Sequence, residues 1–395
     1  MTSNFTDDLP RLLDDVEDSM VELRHDLHAH PELAFQEHRT TQVVRDRLVE
    51  LGWELATCPT ETGAVAVLRG AKPGRRIMIR ADIDGLPVTE ENRISFASVN
   101  EGVMHACGHD VHTAGLLGIA DLFSRRQAEL AGEFTLLFQP AEEGSGGALA
   151  MIEGGVLISN PVDVVIGAHV SSLAPLGFVG TKPGVMMSEA ASISIHIKGQ
   201  GGHGAMASTE GNVILAVSYL APRLGEVVDG LSFEGTNCAC SAGVINAGTA
   251  MNVVPRHAVL KGSLRTFTAD QQVEALKRLR SLMRGVEATF SVTCTLDLYD
   301  VAPAVVNDAD ICEQVVRSAT KVVGASGVMT IPPFTPSDDV SEFMNRMPGC
   351  YMFIGGANAD GSSGMHHSPD FQVQDASCRI LAGVLAQSAV DLAQL

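Results

Sequence analysis

The segment MHACGHDVH (104–112) sets a thiol and an imidazole two residues apart, at Cys107 and His109, with His105, Asp110 and His112 around them. In an extended or turn backbone both groups can face one point. Thiolate, imidazole and carboxylate together suit zinc and related divalent ions. No second CxxC or HxxxH lies nearby, so this is not a zinc-finger spacing. Taken alone, the cluster also fits a structural loop that carries a free cysteine and several histidines. Four further segments supply ligand types: RADIDGLP (80–87), FQPAEEG (138–144), GAHV (167–170) and GMHHSPDF (364–371).

Glu142 and Glu143 sit side by side after an apolar run and before glycines. Two adjacent carboxylates are costly to bury unless cations or protons neutralise them. A metal centre would neutralise them and divide their work, one Glu binding metal and the other taking a proton from water. Most Glu-Glu pairs are simply solvated, and only the flanking strand and glycines argue otherwise. His169 at the end of an apolar run fits a satisfied core residue as well as a ligand. His366 and His367 lie in a Gly/Ser/Pro loop that fits plain exposure. His203 lies in GQGGHGAMAS, where glycines permit close approach of the backbone to a ligand but also mark ordinary turns. Asn252 and Arg265 could hold a carboxylate, Arg265 by a bidentate fork, though a surface Arg reads the same way.

The elements that must position these residues follow from periodicity. Leu9, Leu12, Leu13, Val16, Met20, Leu23 and Leu27 mark a helix over 9–29 that Pro31 stops. A second helix is expected over 36–51. Strands are expected at 63–68, 76–81, 133–139 and 162–169, with helices from His109 to about Phe123 and around 146–153. Strands alternating with helices indicate an α/β sheet of parallel or mixed character. In such sheets ligands gather at the carboxyl ends of strands, and four of the five segments follow expected strands. Near residue 187 the pattern changes. SISIHIKG (192–199) alternates with period two, a helix follows at 211–229, and strands follow at 238–245 and 258–267. A helix at 270–284 and a strand at 288–298 complete a β-α-β-β-α-β order, that of a ferredoxin-like sandwich. The α/β pattern resumes from 303 and ends in a helix from 373. The expected organisation is a discontinuous catalytic α/β domain (1–186 and 303–395) with an inserted α+β domain (187–302).

The chain has 395 residues and a net charge of −20, which disfavours nucleic acid and anionic membranes as partners. No run of eighteen apolar residues appears, so no membrane span is expected. The acidic N-terminus does not read as a secretory signal, and a cytoplasmic protein is expected. Eight cysteines in a chain of this kind read as buried small hydrophobes rather than a disulfide framework.

RADIDGLP, MHACGHDVHTAG, FQPAEEGSGGA, GAHV, GGHGA, MNVVP and HSP occur in this order, with PELAFQE (31–37) before them. Together they resemble the hippurate-hydrolase branch of the aminoacylase/carboxypeptidase-type metallopeptidases, which includes N-acyl-amino-acid amidohydrolases. The likeness covers nearly the whole chain. It implies two divalent ions, zinc or manganese, on Cys107, His109, Glu143, His169 and His367, with Glu142 as general base. It implies that His203 reaches across a dimer interface to steady an oxyanion and that Asn252 and Arg265 help hold substrate. The inserted domain is then a lid and dimerisation domain. Asp82 matches the Asp of the wider family's His-x-Asp motif, Arg80 stands where the ligand histidine of that motif would be, and Cys107 compensates. His105, Asp110 and His112 are expected to support the ligands. Two segments depart from the branch. GGHGA continues through Met206 to Ala207–Ser208 instead of Pro-His, and the Glu-Asp-Phe segment appears as SDDVSEF (337–343).

The expected activity is metal-assisted hydrolysis of the amide bond of small N-acyl amino acids by a homodimer or higher homo-oligomer. Two rivals stand beside it. One is a cysteine amidase with Cys107 as nucleophile and His109 as base. The other is a catalytically inactive relative used for binding or assembly.

Overall fold

A computed structural model describes residues 5–144 and 146–395. The chain divides into two compact units. One runs to Gly184 and resumes over Val306–Ile331 and Asp339–Leu395; the other comprises Val185–Val305 and Pro332–Asp338.

Among the described residues of the first unit, eight strands form one mixed sheet. Its centre is parallel: Ala131–Gln139, Lys72–Asp82, Val164–Pro175 and Gly349–Ala357 lie side by side. Their buried stretches, such as Ile77–Ile79 and Phe134–Phe138, are largely apolar because both faces are covered. The flanking strand Ala64–Arg69 pairs antiparallel with Ala131–Gln139. Register fixes the site. Asp82 lies opposite Gln139, Arg80 opposite Gly167, and His169 opposite Phe353. Chemistry-bearing residues therefore leave the sheet together at one carboxyl edge, as parallel α/β topology favours.

Helices Phe5–Ala29, His109–Arg126 and Ala376–Ala393 contribute to one apolar core with the sheet. Gly118 permits close helix approach, since a Cβ there would stand 2.1 Å from Met20 Sδ. Ala376–Ala393 is apolar and long enough to cross a membrane, but 78% of that window is buried inside the fold.

In the second unit, Ala239–Ala247, His257–Thr266, Glu189–Lys198 and Thr293–Ala302 form an antiparallel sheet in that spatial order. With helices Val213–Leu220 and Ala269–Phe290, this is the ferredoxin-like arrangement. Ile193, Ile195 and Ile197 point to its core while His196 and Lys198 face out, as the alternation predicts.

Three expectations shift. The helix expected at 270–284 continues to Phe290 because Val286 and Phe290 prolong the buried stripe; Ser291, at φ 53°, ends it, and the strand begins at Thr293. The helix expected at 211–229 is α-helical only over Val213–Leu220 and continues as 3-10 turns over Ala221–Val228, where Pro222 removes a backbone donor. Residues 332–338, read from sequence as part of the catalytic domain, cluster with the second unit. There the Phe334 N–H donates to the Met186 carbonyl (2.8 Å), and the Ser188 N–H to the Phe334 carbonyl (3.0 Å).

Candidate metal centre

The Cys107-Gly-His109 turn depends on Gly108. Its φ of +88° is left-handed, and a Cβ there would stand 2.4 Å from Val170 Cγ1. The turn presents Cys107 outside the helix and His109 as its first residue. The backbone N–H of His367 donates to the Ala106 carbonyl (2.8 Å), which ties the HHSPDF loop to the cysteine turn.

Around Cys107 the ligand types converge. Its Sγ lies 3.3 Å from His169 Nε2 and 3.7 Å from His366 Nδ1. Glu143 Oε1 lies 3.2 Å from His367 Nε2 and 3.9 Å from His109 Nε2. Cys107, Glu143 and His367 form one tight group, Cys107, His169 and His366 a second, and His109, Glu142 and Glu143 a third. Cys107 and Glu143 are thus each shared between two groups, which suits two neighbouring cations better than one.

Hydrogen bonds decide which ring nitrogens are free. His109 Nδ1 donates to the Asp84 carbonyl (2.9 Å), which turns its Nε2 toward the cavity. That Nε2 is buried without a hydrogen-bond partner, as is Glu143 Oε1. His169 Nδ1 donates to the Val170 carbonyl (2.6 Å), leaving Nε2 turned toward Cys107. His366 Nε2 accepts from the Ser172 N–H (3.3 Å). His112 differs. Its Nε2 accepts from the Val170 N–H (2.8 Å) and its Nδ1 donates to Asp82 Oδ1 (2.5 Å), so both nitrogens are engaged.

Electrostatics agree with this arrangement. Burial pushes the Cys107 thiol well above its usual range, and Glu143, Glu142 and Asp82 push it further. Burial holds His169 well below the usual imidazole range, so it stays neutral with its lone pair available. Burial would also lower His109, but Asp82, Asp84 and Glu143 outweigh it and push the ring up to about 10. These directions describe a cavity short of positive charge. The Cys107 thiol, the neutral imidazole of His169 and the unpartnered oxygen of Glu143 are ligand types that fit a divalent metal ion.

Asp82 and Arg80 are joined in one buried network. Arg80 is 2% exposed and donates to Asp82 Oδ2 (2.7 Å), to Gln139 (2.9 Å) and to Asp339 (3.0 Å). Both Asp82 oxygens are therefore engaged, one by Arg80 and one by His112. Asp82 thereby holds these two side chains. Burial would raise its carboxyl, but His109, His112 and Arg80 hold it well below the carboxylate range.

Asp110 belongs to a separate buried network. It accepts from Arg24 Nε (3.1 Å) and pairs with His28 Nδ1 (3.0 Å), and His28 also meets Glu90 (3.2 Å). His105 is buried with neither ring nitrogen hydrogen-bonded, and burial pulls it down to about 4.

Three carboxylates around the site were not singled out from sequence. Asp84 Oδ2 accepts from the Glu143 N–H (3.0 Å). Glu37 accepts from the Ala141 N–H (2.9 Å), where the backbone turns through φ 56°. Asp339 spans several elements. Asp84 and Glu37 stood inside RADIDGLP and PELAFQE, and that placement was the only available signal.

His203, Asn252 and Arg265 belong to the second unit. His203 is exposed on a short strand paired with Val253, and its Nδ1 accepts from the Ala205 N–H (3.1 Å). The Gly204 N–H donates to the Asn252 carbonyl (2.7 Å), so His203 and Asn252 are neighbours. Arg265 is part-buried and donates to Ser337 Oγ.

The profile of peptidase family M20/M25/M40 matches residues 78–391. This chain belongs to that family. An N-acetylcysteine deacetylase of Bacillus subtilis (strain 168) is 33% identical over 94% of this chain and 96% of its own length. Thermostable carboxypeptidase 1 of Saccharolobus solfataricus is 33% identical over 91% and 92%. Among solved structures, a putative aminohydrolase from methicillin-resistant Staphylococcus aureus superposes with TM-score 0.86 at 33% identity, covering 98% of this chain and 100% of that one. A dinuclear metal-binding M20 peptidase of Bacillus subtilis gives 0.79 at 30% identity, covering 96% and 99%. Membership of the M20/M25/M40 family makes this chain a metal-dependent hydrolase with a catalytic and a lid domain.

Proposed function

We propose that this hydrolase cleaves the amide bond of N-acyl amino acids, or similar small amide conjugates, giving a carboxylic acid and a free amino acid. The observation that carries this reading is the convergence of buried Cys107, His109 and His169 with part-buried Glu143 and exposed His367, and with Glu142 beside them. An N-acetylcysteine deacetylase among the relatives supports the substrate class.

Cys107, His109, Glu143, His169 and His367 would hold two divalent ions, zinc or manganese. When bound, such ions lower the pKa of water and polarise a carbonyl. Glu142 takes the proton of the attacking water as its oxygen bonds to the acyl carbon. The same carboxyl then returns the proton to the amine nitrogen as the C–N bond breaks. His203, supplied by the partner subunit of a dimer, steadies the oxyanion. Asn252 and Arg265 hold the substrate carboxylate. The exposure of His203 supports a role completed by another molecule. The eight unpaired cysteines support a reducing, cytoplasmic setting.

The cysteine-amidase reading is disfavoured, because burial and the neighbouring Glu143, Glu142 and Asp82 push the Cys107 thiol up and oppose a free thiolate. A hydrolysis screen of N-acetyl, N-benzoyl and long-chain N-acyl amino acids tests the proposal. Activity abolished by chelation and restored by Mn²⁺ or Zn²⁺ is the expected result. Turnover indifferent to chelation would return the thiol mechanism, and a metal-loaded chain inert on all substrates would favour a binding protein.

A further inference from the structure

We infer that Asp339 is a positioning residue for the metal centre, a single carboxylate that pins both ends of the Glu142–Glu143 loop and, through Arg80, holds Asp82 and the helix behind it. This inference rests on the metal-centre reading above.

Asp339 is 7% exposed and both its oxygens are used. Oδ1 accepts from Arg80 Nη2 (3.0 Å) and Gln139 Nε2 (2.7 Å). Oδ2 accepts from the Ala148 N–H (2.9 Å). Gln139 is the last residue of its strand, and Ala148 lies in the first turn of the helix Gly147–Glu153. Between them run residues 140–147, the segment that carries Glu142 and Glu143. Its ends touch, since a Cβ at Gly147 would stand 1.7 Å from the Pro140 carbonyl. Asp339 bonds to both of those ends. It does so with a fixed charge rather than a neutral amide, which roughly doubles the strength of each hydrogen bond.

The same carboxylate reaches the histidines. Arg80 passes from Asp339 to Asp82 Oδ2 (2.7 Å), Asp82 Oδ1 to His112 (2.5 Å), and His112 to the Val170 N–H (2.8 Å). Val170 follows His169 directly, and His112 lies one turn along the helix from His109. A chain of hydrogen bonds thus runs from Asp339 to the helix that carries His109 and to the residue after His169. The charges also have a purpose. Arg80 alone would place a buried cation beside a cation-binding cavity. Two carboxylates on one guanidinium leave the triad net negative, which favours divalent ions.

The test uses the full chain loaded with Co²⁺, whose visible bands and thiolate charge-transfer band report ligand geometry. Asp339→Asn keeps the volume but presents an N–H₂ to the donors of Arg80, Gln139 or Ala148. The expected result is cobalt affinity about 10–100-fold weaker, with shifted visible bands, and kcat reduced more than KM. Gln139→Met, a milder change, is expected to act in the same direction with a smaller effect, and it decides the matter if Asp339→Asn does not fold. Asp121→Asn is the control, because Asp121 is a comparably buried carboxylate paired with Arg47 and Arg125 away from the ligands. It should lower thermal stability and leave the cobalt spectrum unchanged. Wild-type cobalt affinity and spectrum in the Asp339 and Gln139 variants would overturn the inference alone, as would equal spectral loss in Asp121→Asn. A wild-type chain that binds no cobalt would overturn the metal-centre reading, and this inference with it.

Discussion

The two units treat their candidate residues in opposite ways. In the first, His109, Asp82 and His112 are at most 2% exposed, and of the four ring nitrogens of these two histidines only His109 Nε2 lacks a hydrogen-bond partner. In the second, His203 is exposed and makes one local hydrogen bond within its own turn. A buried donor or acceptor left unsatisfied costs about 1–3 kcal/mol. The orphaned His109 Nε2 and Glu143 Oε1 therefore call for something that belongs there. Water satisfies an exposed imidazole at no cost, so His203 reveals its role only through what later covers it. The first unit carries a centre largely built on folding. The second carries the exposed His203, to which the proposed function assigns a partner-subunit contact.

Glu142→Gln should have the largest effect on rate. Removing a general base typically costs about 10²–10⁴-fold, here read in kcat, with metal content unchanged. Substantial turnover in that variant would remove Glu142 from the mechanism. His203→Ala should cost about 10²–10³-fold, the usual range for an oxyanion donor, and again spare the metal. Loss of metal from His203→Ala would break the contrast between the units, because it would make an exposed residue part of the preformed centre.

The smallest effect is on stability and concerns the buried network of the first unit. Burial alone would lower His28, but Asp110 and Glu90 outweigh it and push it up to about 9. A group whose folded pKa is raised contributes fully below its unfolded value near 6.5 and loses that contribution as pH rises through about 9. At about 1.4 kcal/mol per pH unit, the window carries about 3 kcal/mol at most. Wild type should lose stability between pH 6.5 and 9 in urea titrations, and His28→Gln should show a flatter profile. Equal slopes would mean that His28 is not charged in the fold.

Sequence reading located much of this centre, for identifiable reasons. Cys107, His109 and Glu143 lie close to strand and helix ends that hydrophobic periodicity marks well. The strand expected over 162–169 brought His169 into the sheet, but that strand runs on to Pro175, so His169 lies within it rather than at its end. The central chain's alternation in SISIHIKG revealed the second sheet, because one face is buried and the other wet. What escaped was pairing across long sequence distances. Arg80 suggested only a lost ligand, although Asp339, 259 residues away, shares its guanidinium. His112 looked like His109 by type, and only the Val170 N–H shows that it is already occupied. His366 and His367 are adjacent, yet one approaches Cys107 and the other Glu143 because φ at His367 is +65°. The return of residues 332–338 to the second unit rests on backbone hydrogen bonds that no side-chain pattern encodes.

The central claim is that Cys107, His109, Glu143, His169 and His367 would hold two divalent ions. Cobalt titration of metal-free wild type and Cys107→Ser, followed by absorbance and metal analysis, tests it most directly. Two ions per wild-type chain, a thiolate charge-transfer band, and loss of that band with weakened binding of both ions in Cys107→Ser are the predicted result. Wild type that binds no ion, or a Cys107→Ser variant that binds two ions as tightly as wild type, would contradict it.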